Sequence, residues 1–221
     1  MLISARLPIS RAPISRKRTR FLSAAQAAEP EPDDPEADAA MRAWLVGALK
    51  RAICERHGLV GIFPADEEDD FDPASSLGQR ALAISRAMER VMQTCDAMIV
   101  NLTPFRGPSA DVGSAYEMGF MRALGCPIFA YSNDSRLFLE RVRTFCGDAV
   151  RLRPTGEHED LDGMAIEPFE LHDNLMLAGG VADSGGCLIA ETASPTERYT
   201  SLAAFERCVA HAAANLLGGS R

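Results

Sequence analysis

The sequence predicts an α/β domain, with a parallel sheet flanked by helices. Two observations predict it. Short apolar runs of strand length alternate with longer segments whose apolar residues recur at helical spacing. Gly, Pro or acidic loops punctuate nearly every change from one to the other. Strand–helix alternation of this kind implies right-handed βαβ units and a parallel sheet. A chain of 221 residues without internal repeat fits one such domain, of doubly wound, flavodoxin-like type.

Phe21 to Ala25 is expected to be a short first strand, and Glu29 to Asp38 a loop in which Pro30, Pro32 and Pro35 exclude regular structure. Met41, Trp44, Leu45, Ala48, Leu49, Ala52 and Ile53 outline a helix closed by Gly58. Leu59 to Phe63 reads as a buried strand, and Ala65 to Pro73 as an acidic loop. Leu77, Ala81, Ile84, Met88 and Val91 mark the apolar face of a second helix. Ala97 to Leu102 is a buried strand, and Pro104 to Ala110 a Pro/Gly loop. Asp111 suits the N-cap of a helix running to about Leu124 and ended by Gly125. Pro127 to Tyr131 is the next strand and Leu137 to Cys146 the next helix. Residues 147–163 read as irregular and polar, Cys187 to Ala190 as a last strand, and Leu202 to Leu216 as a final helix.

Composition narrows the function. Hydrophobic residues make up 47% and charged residues 24%, which is globular rather than disordered. The apolar runs are too short to cross ~30 Å of hydrocarbon, so no membrane span is expected. A net charge of −8 argues against a nucleic-acid partner, which needs clustered Lys and Arg. Six scattered cysteines without a CxxC pair read as reduced thiols of a cytoplasmic protein, with neither a metal site nor a cofactor motif. Residues 1–20 form a basic extension, expected to be disordered, ahead of a domain at 21–221; the first acid is Glu29. An Arg- and Ser-rich, acid-poor start also matches organelle targeting, against which stand a disordered extension and an early start codon.

The chemistry concentrates between Cys95 and Gly119, in CDAMIVNLTPFRGPSADVGSAYEMG. Asp96 precedes the strand, Asn101 lies near its end, and Arg106 follows in the loop. Asp111 starts the next helix, with Glu117 less than two turns on. Glu117 sits among Tyr116, Met118, Gly119 and Phe120, an apolar setting for a carboxylate. Acids converging on one crevice suit glycosyl chemistry, where one attacks the anomeric carbon and another manages a proton. On the residues alone, Asp111 is equally a helix cap, Glu117 a solvated helix residue, Asp96 a helix terminator and Arg106 a loop residue.

This stretch resembles the nucleoside 2-deoxyribosyltransferase family in its aspartate before a hydrophobic strand (Asp96), its PFRG loop (Pro104 to Gly107) and its D-x-G-x-x-x-E-x-G (Asp111 to Gly119). Glu170 to Leu177, containing Asp173-Asn174-Leu175-Met176, and Gly58 to Asp66 extend the similarity over about 41–217. The resemblance implies a flavodoxin-like enzyme of nucleotide metabolism and purine salvage. It would cleave the N-glycosidic bond of 2′-deoxynucleosides and pass the deoxyribosyl group to a free nucleobase with retention. It implies Glu117 as nucleophile, Asp96 and Asp111 as carboxylates acting on the base and its proton, and Phe21, Arg106 and Met176 as substrate contacts. Asn174 would reach a neighbouring subunit's site in a homo-oligomer. The family's opening Tyr-Leu-Ala-Gly-Pro is represented only by Phe21-Leu22-Ser23-Ala24-Ala25-Gln26, without the tyrosine hydroxyl or the Gly-Pro turn. Two alternatives stay open: hydrolysis of (deoxy)nucleoside 5′-monophosphates, disfavoured because Asp111 stands where those relatives carry serine, and a non-catalytic nucleotide sensor, which has no need of Glu117.

Overall fold

The structure, a computed structural model, describes residues 2–6, 35–63 and 74–218. In chain order the elements are β1 (Leu2–Arg6), α1 (Pro35–Arg56), β2 (Val60–Ile62), α2 (Leu77–Met92), β3 (Ala97–Asn101), α3 (Val112–Ala123), β4 (Ile128–Ser132) and α4 (Phe138–Cys146). There follow β5 (Arg151–Leu152), β6 (His158–Glu159), β7 (Ala165–Ile166), α5 (Leu175–Asp183), β8 (Leu188–Ala190) and α6 (Ala203–Gly218).

The main sheet has the order β2-β1-β3-β4-β8. β3, β4 and β8 are parallel, as expected. β1 runs antiparallel to both β2 and β3, with Ile3 opposite Ile99 and Ala5 opposite Gly61. Residues 2–6 of the expected N-terminal extension are therefore a sheet strand, whereas the strand expected at Phe21 to Ala25 lies outside the described residues.

Side chains of the central strands alternate between two cores, because successive residues of a strand face opposite ways. Ile99, Phe129 and Tyr131 pack with Ile53, Cys54, Phe205, Cys208 and Val209 of α1 and α6. Met98, Val100, Ile128 and Ala130 pack with Met92, Met118, Met121, Leu177 and Val181 of α2, α3 and α5. The result is a helix–sheet–helix sandwich. Gly186 has to be glycine where the chain enters β8: a Cβ there would stand 1.7 Å from the Ile128 carbonyl oxygen.

The differences from expectation have local causes. α1 begins at Pro35, inside the expected proline loop, since proline fits the first turn of a helix. α2 is started by a capping box, in which the Gln79 backbone donates to Ser76 Oγ (3.3 Å) and the Ser76 backbone to Gln79 Oε1 (2.8 Å). Only its C-terminal half is buried, through Ala87, Val91 and Met92; Leu77 and Ile84 of the expected face are exposed. The expected irregular stretch after α4 contains a 3-10 turn at Gly147–Ala149 and the first two strands of a small antiparallel sheet, β5-β6-β7. Among the described residues no helix is long and apolar enough to cross a membrane.

Candidate active site

β3 ends at Asn101, and the loop after it leads directly into α3. Its carboxyl end therefore lies beside the α3 N-terminus, where ligands of open α/β sheets bind. A cleft of about 280 Å³ opens there, lined by Asn101, Thr103, Phe105, Asp111, Ser114 and Tyr199. That volume is just below the ~300–1,000 Å³ of ligand pockets. Phe105 and Tyr199 meet edge to face, with ring centroids 6.4 Å apart, and form an aromatic wall. The Tyr199 hydroxyl donates to the Pro104 carbonyl (2.9 Å) and holds the loop. Asn101 Oδ1 accepts from the Thr103 backbone (2.9 Å), and Thr103 Oγ1 from the Asn133 backbone (3.0 Å).

Asp111 is the α3 N-cap, accepting from the Ser114 backbone N–H (3.1 Å) through Oδ2. Among the described residues Oδ1 has no hydrogen-bond partner, so capping and a ligand-directed role coexist in one side chain. The glycine of D-x-G follows from this geometry: a Cβ on Gly113 would stand 2.9 Å from Asp111 Oδ2. Glu117 lies one turn beyond Ser114 on the same face, and helical side chains lean toward the N-terminus, here toward Asp111. It is half-buried. Desolvation, and then the nearby Asp111 charge, push its carboxyl up to about 7. A carboxylate that is partly ionised at neutral pH and short of water is suited to attack an electrophilic carbon.

Asp96 is not brought to this cleft. It is exposed at the opposite end of β3, about 16 Å from Asn101 at ~3.3 Å per residue. The two ends of a strand lie on opposite edges of the sheet, and only the carboxyl edge is shared with the α3 N-terminus. Its charge bears instead on the Cys126 thiol, which burial first and Asp96 second push up. Arg106 lines none of the clefts described here. It sits exposed at the loop tip with a left-handed backbone (φ 56°), its guanidinium 4.8 Å over the Phe105 ring. Phe21 lies outside the described residues.

Asn174 and Met176 line a different recess, a groove of about 1,020 Å³ between α3 and α5, with Val112, Ala115, Leu175 and Gly180. Asn174 caps α5 by accepting from the Met176 backbone (3.0 Å) and donates to Glu167 Oε1 (2.5 Å). Val112 is 84% exposed and Met176 72%. Asp111 and Val112 are consecutive, so cleft and groove flank the start of α3.

Sequence reasoning missed Tyr199, Ser114 and above all Asp173. Its side chain is 2% exposed and joins three segments. It accepts from Ser109 Oγ, from the Ala110 backbone (3.0 Å), from the Asn174 backbone (2.8 Å) and from Arg141 Nη2 (3.3 Å). The adjacency of Asp173 to Asn174 in a recognised segment was the available signal.

Against known proteins, residues 42–176 match the family model described as nucleoside 2-deoxyribosyltransferase. An uncharacterized protein of Schizosaccharomyces pombe is 32% identical over 145 residues, covering 62% of this chain and 69% of that one. A 2-desoxiribosyltransferase from Leishmania mexicana aligns in structure with 26% identity and a TM-score of 0.46, over 83% of this chain and 95% of that one. By the extent of the family match, with the D-x-G-x-x-x-E-x-G segment inside it, the chain belongs to the nucleoside 2-deoxyribosyltransferase family.

Proposed function

We propose that the protein transfers the 2-deoxyribosyl group between nucleobases through a covalent glycosyl-enzyme on Glu117. The observation that carries the proposal is Glu117 itself: a half-buried carboxyl raised to about 7, one turn beyond a residue of the cleft and electrostatically coupled to Asp111. In the first half-reaction the Glu117 carboxylate attacks C1′ while the glycosidic bond breaks, its electron pair leaving with the base nitrogen. Asp111, having taken up the proton that Glu117 gives up when substrate binds, delivers it to that nitrogen. In the second, an incoming base gives its N–H proton to Asp111, and its nitrogen displaces Glu117 from C1′. Two inversions give retention. Phe105 and Tyr199 would hold the base against their shared aromatic wall, and Arg106 would act by fixing Phe105.

The groove beside α3 supports a homo-oligomer. Exposed Val112, Leu175 and Met176 form an apolar surface of the kind that marks interfaces. A second copy seated there would bring its Asn174 toward the neighbouring Glu117. The test of the activity is incubation with deoxyinosine and free adenine, followed by chromatography. Deoxyadenosine formation is expected; hydrolysis of deoxynucleoside monophosphates without base exchange would replace transfer with N-glycosidase action.

A further inference from the structure

Asp173 takes no part in the chemistry proposed above, yet its side chain is fixed from four sides. Oδ1 accepts from Ser109 Oγ and from the Asn174 backbone N–H (2.8 Å). Oδ2 accepts from the Ala110 backbone N–H (3.0 Å) and from Arg141 Nη2 (3.3 Å). Both members of the Arg141–Asp173 pair are buried. An ion pair so placed contributes little net stability, because desolvating two charges offsets their attraction. Its effect here is geometric. Arg141 belongs to α4, Ser109 and Ala110 to the connection into α3, and Asn174 caps α5, so one carboxylate sets three segments against each other.

The connection into α3 has little freedom apart from this clamp. The Phe105 backbone N–H donates to the Ser109 carbonyl (2.9 Å) and closes the 105–109 loop, and Ala110 leads directly into the Asp111 cap. A shift of the Ser109–Ala110 peptide therefore carries Asp111 with it. We propose that Asp173 is a positioning residue of the transferase: its carboxylate holds that peptide so that Asp111 presents its proton to the leaving base nitrogen. The proposal rests on the transferase reading, in which Asp111 carries the proton. A group that acts only in the transition state lowers kcat when misplaced and leaves KM alone. Misplacement by ~1 Å costs on the order of 10²-fold.

The test is a double-mutant cycle on the full chain, with base exchange from deoxyinosine to adenine as the assay. Ser109→Ala removes a single donor, on the α3 side alone, and leaves the buried pair with Arg141 intact. Asp173→Asn keeps the shape of the side chain but turns one acceptor into an amide donor. Asp111→Asn supplies the second background, because asparagine still caps the helix but has no carboxyl proton to deliver. Both Ser109→Ala and Asp173→Asn should lower kcat at least tenfold and shift KM less than twofold. In the Asp111→Asn background each should cost less than twofold, since no proton is left to aim. An equal loss in both backgrounds, a loss in KM alone, or unchanged kcat in Ser109→Ala overturns the proposal and leaves Asp173 a purely structural group. If Asp173→Asn does not fold, Ser109→Ala decides by itself. Absence of exchange by the unsubstituted chain overturns the transferase reading and this inference with it, whereas exchange with additive losses overturns this inference alone.

Discussion

Glu117→Gln should stabilise the protein, and by an amount that depends on pH. The Glu117 carboxyl moves from 4.5 to about 7 on folding, because the ionised form loses water and faces Asp111. At about 1.4 kcal/mol per pH unit, this sets a ceiling of about 3 kcal/mol. Water still reaches part of the side chain, and screening reduces the figure to about 2 kcal/mol. The sign follows from linkage. A carboxyl raised in the native state favours folding below pH 4.5 and loses that contribution as pH climbs through about 7. Roughly a quarter of the cost is present at pH 5 and nearly all of it at pH 8. Glutamine carries no such charge. Thermal unfolding should therefore show the variant melting about 4–8 °C higher at pH 8 but only about 1–2 °C higher at pH 5. The same variant should lose several orders of magnitude in turnover, since the amide cannot attack C1′. An equal gain at both pH values, or a loss at pH 8, would refute the claim that Glu117 is held against its own ionisation.

Asp173→Ala leaves Arg141 buried without its carboxylate and frees the Ser109 hydroxyl and the Ala110 backbone N–H. Denaturant titration should show a loss of about 3–5 kcal/mol, the cost of breaking a buried pair from one side. Gly113→Ala places a methyl against Asp111 Oδ2; the cap loss and the helix gain, each about 1 kcal/mol, should nearly cancel in stability. Its kcat should still fall at least tenfold, because the Asp111 carboxylate is displaced. Asn174→Ala and Glu117→Ala should each be nearly inactive, yet regain activity when subunits are exchanged and exchange is verified by co-purification of a tagged copy. No recovery despite exchange would place Asn174 within its own subunit's function or outside it.

The parts of this molecule legible in its sequence are those written in neighbouring residues. The apolar runs of β3 and β4 and the Asp111 cap need only a few adjacent positions, and they match to within a residue. β1 was missed because antiparallel partners 54 or more residues away decide it, with Arg6 opposite Val60 and Leu2 opposite Val100. α5 was missed because Gly179 and Gly180 weaken its helical signature, while packing against α3 supplies what propensity lacks. The site divides in the same way. Asp111 and Glu117 are linked by helical spacing and could be read together. Asp173 binds Ala110 across 63 residues, and Tyr199 binds Pro104 across 95, which no local pattern records. Asp96 shows the converse: proximity in a motif is not proximity in space when a full strand lies between.

The central claim is that Glu117 carries the deoxyribosyl group between bases. The most direct measurement uses a nucleoside with a 2-fluoro-2-deoxy sugar, whose fluorine slows turnover of a covalent intermediate, followed by peptide mass spectrometry. The account predicts a glycosyl adduct on the peptide containing Glu117, absent in Glu117→Gln and discharged as a new nucleoside when free base is added. An adduct on another residue, or turnover of the probe with no adduct on the Glu117 peptide, would contradict it.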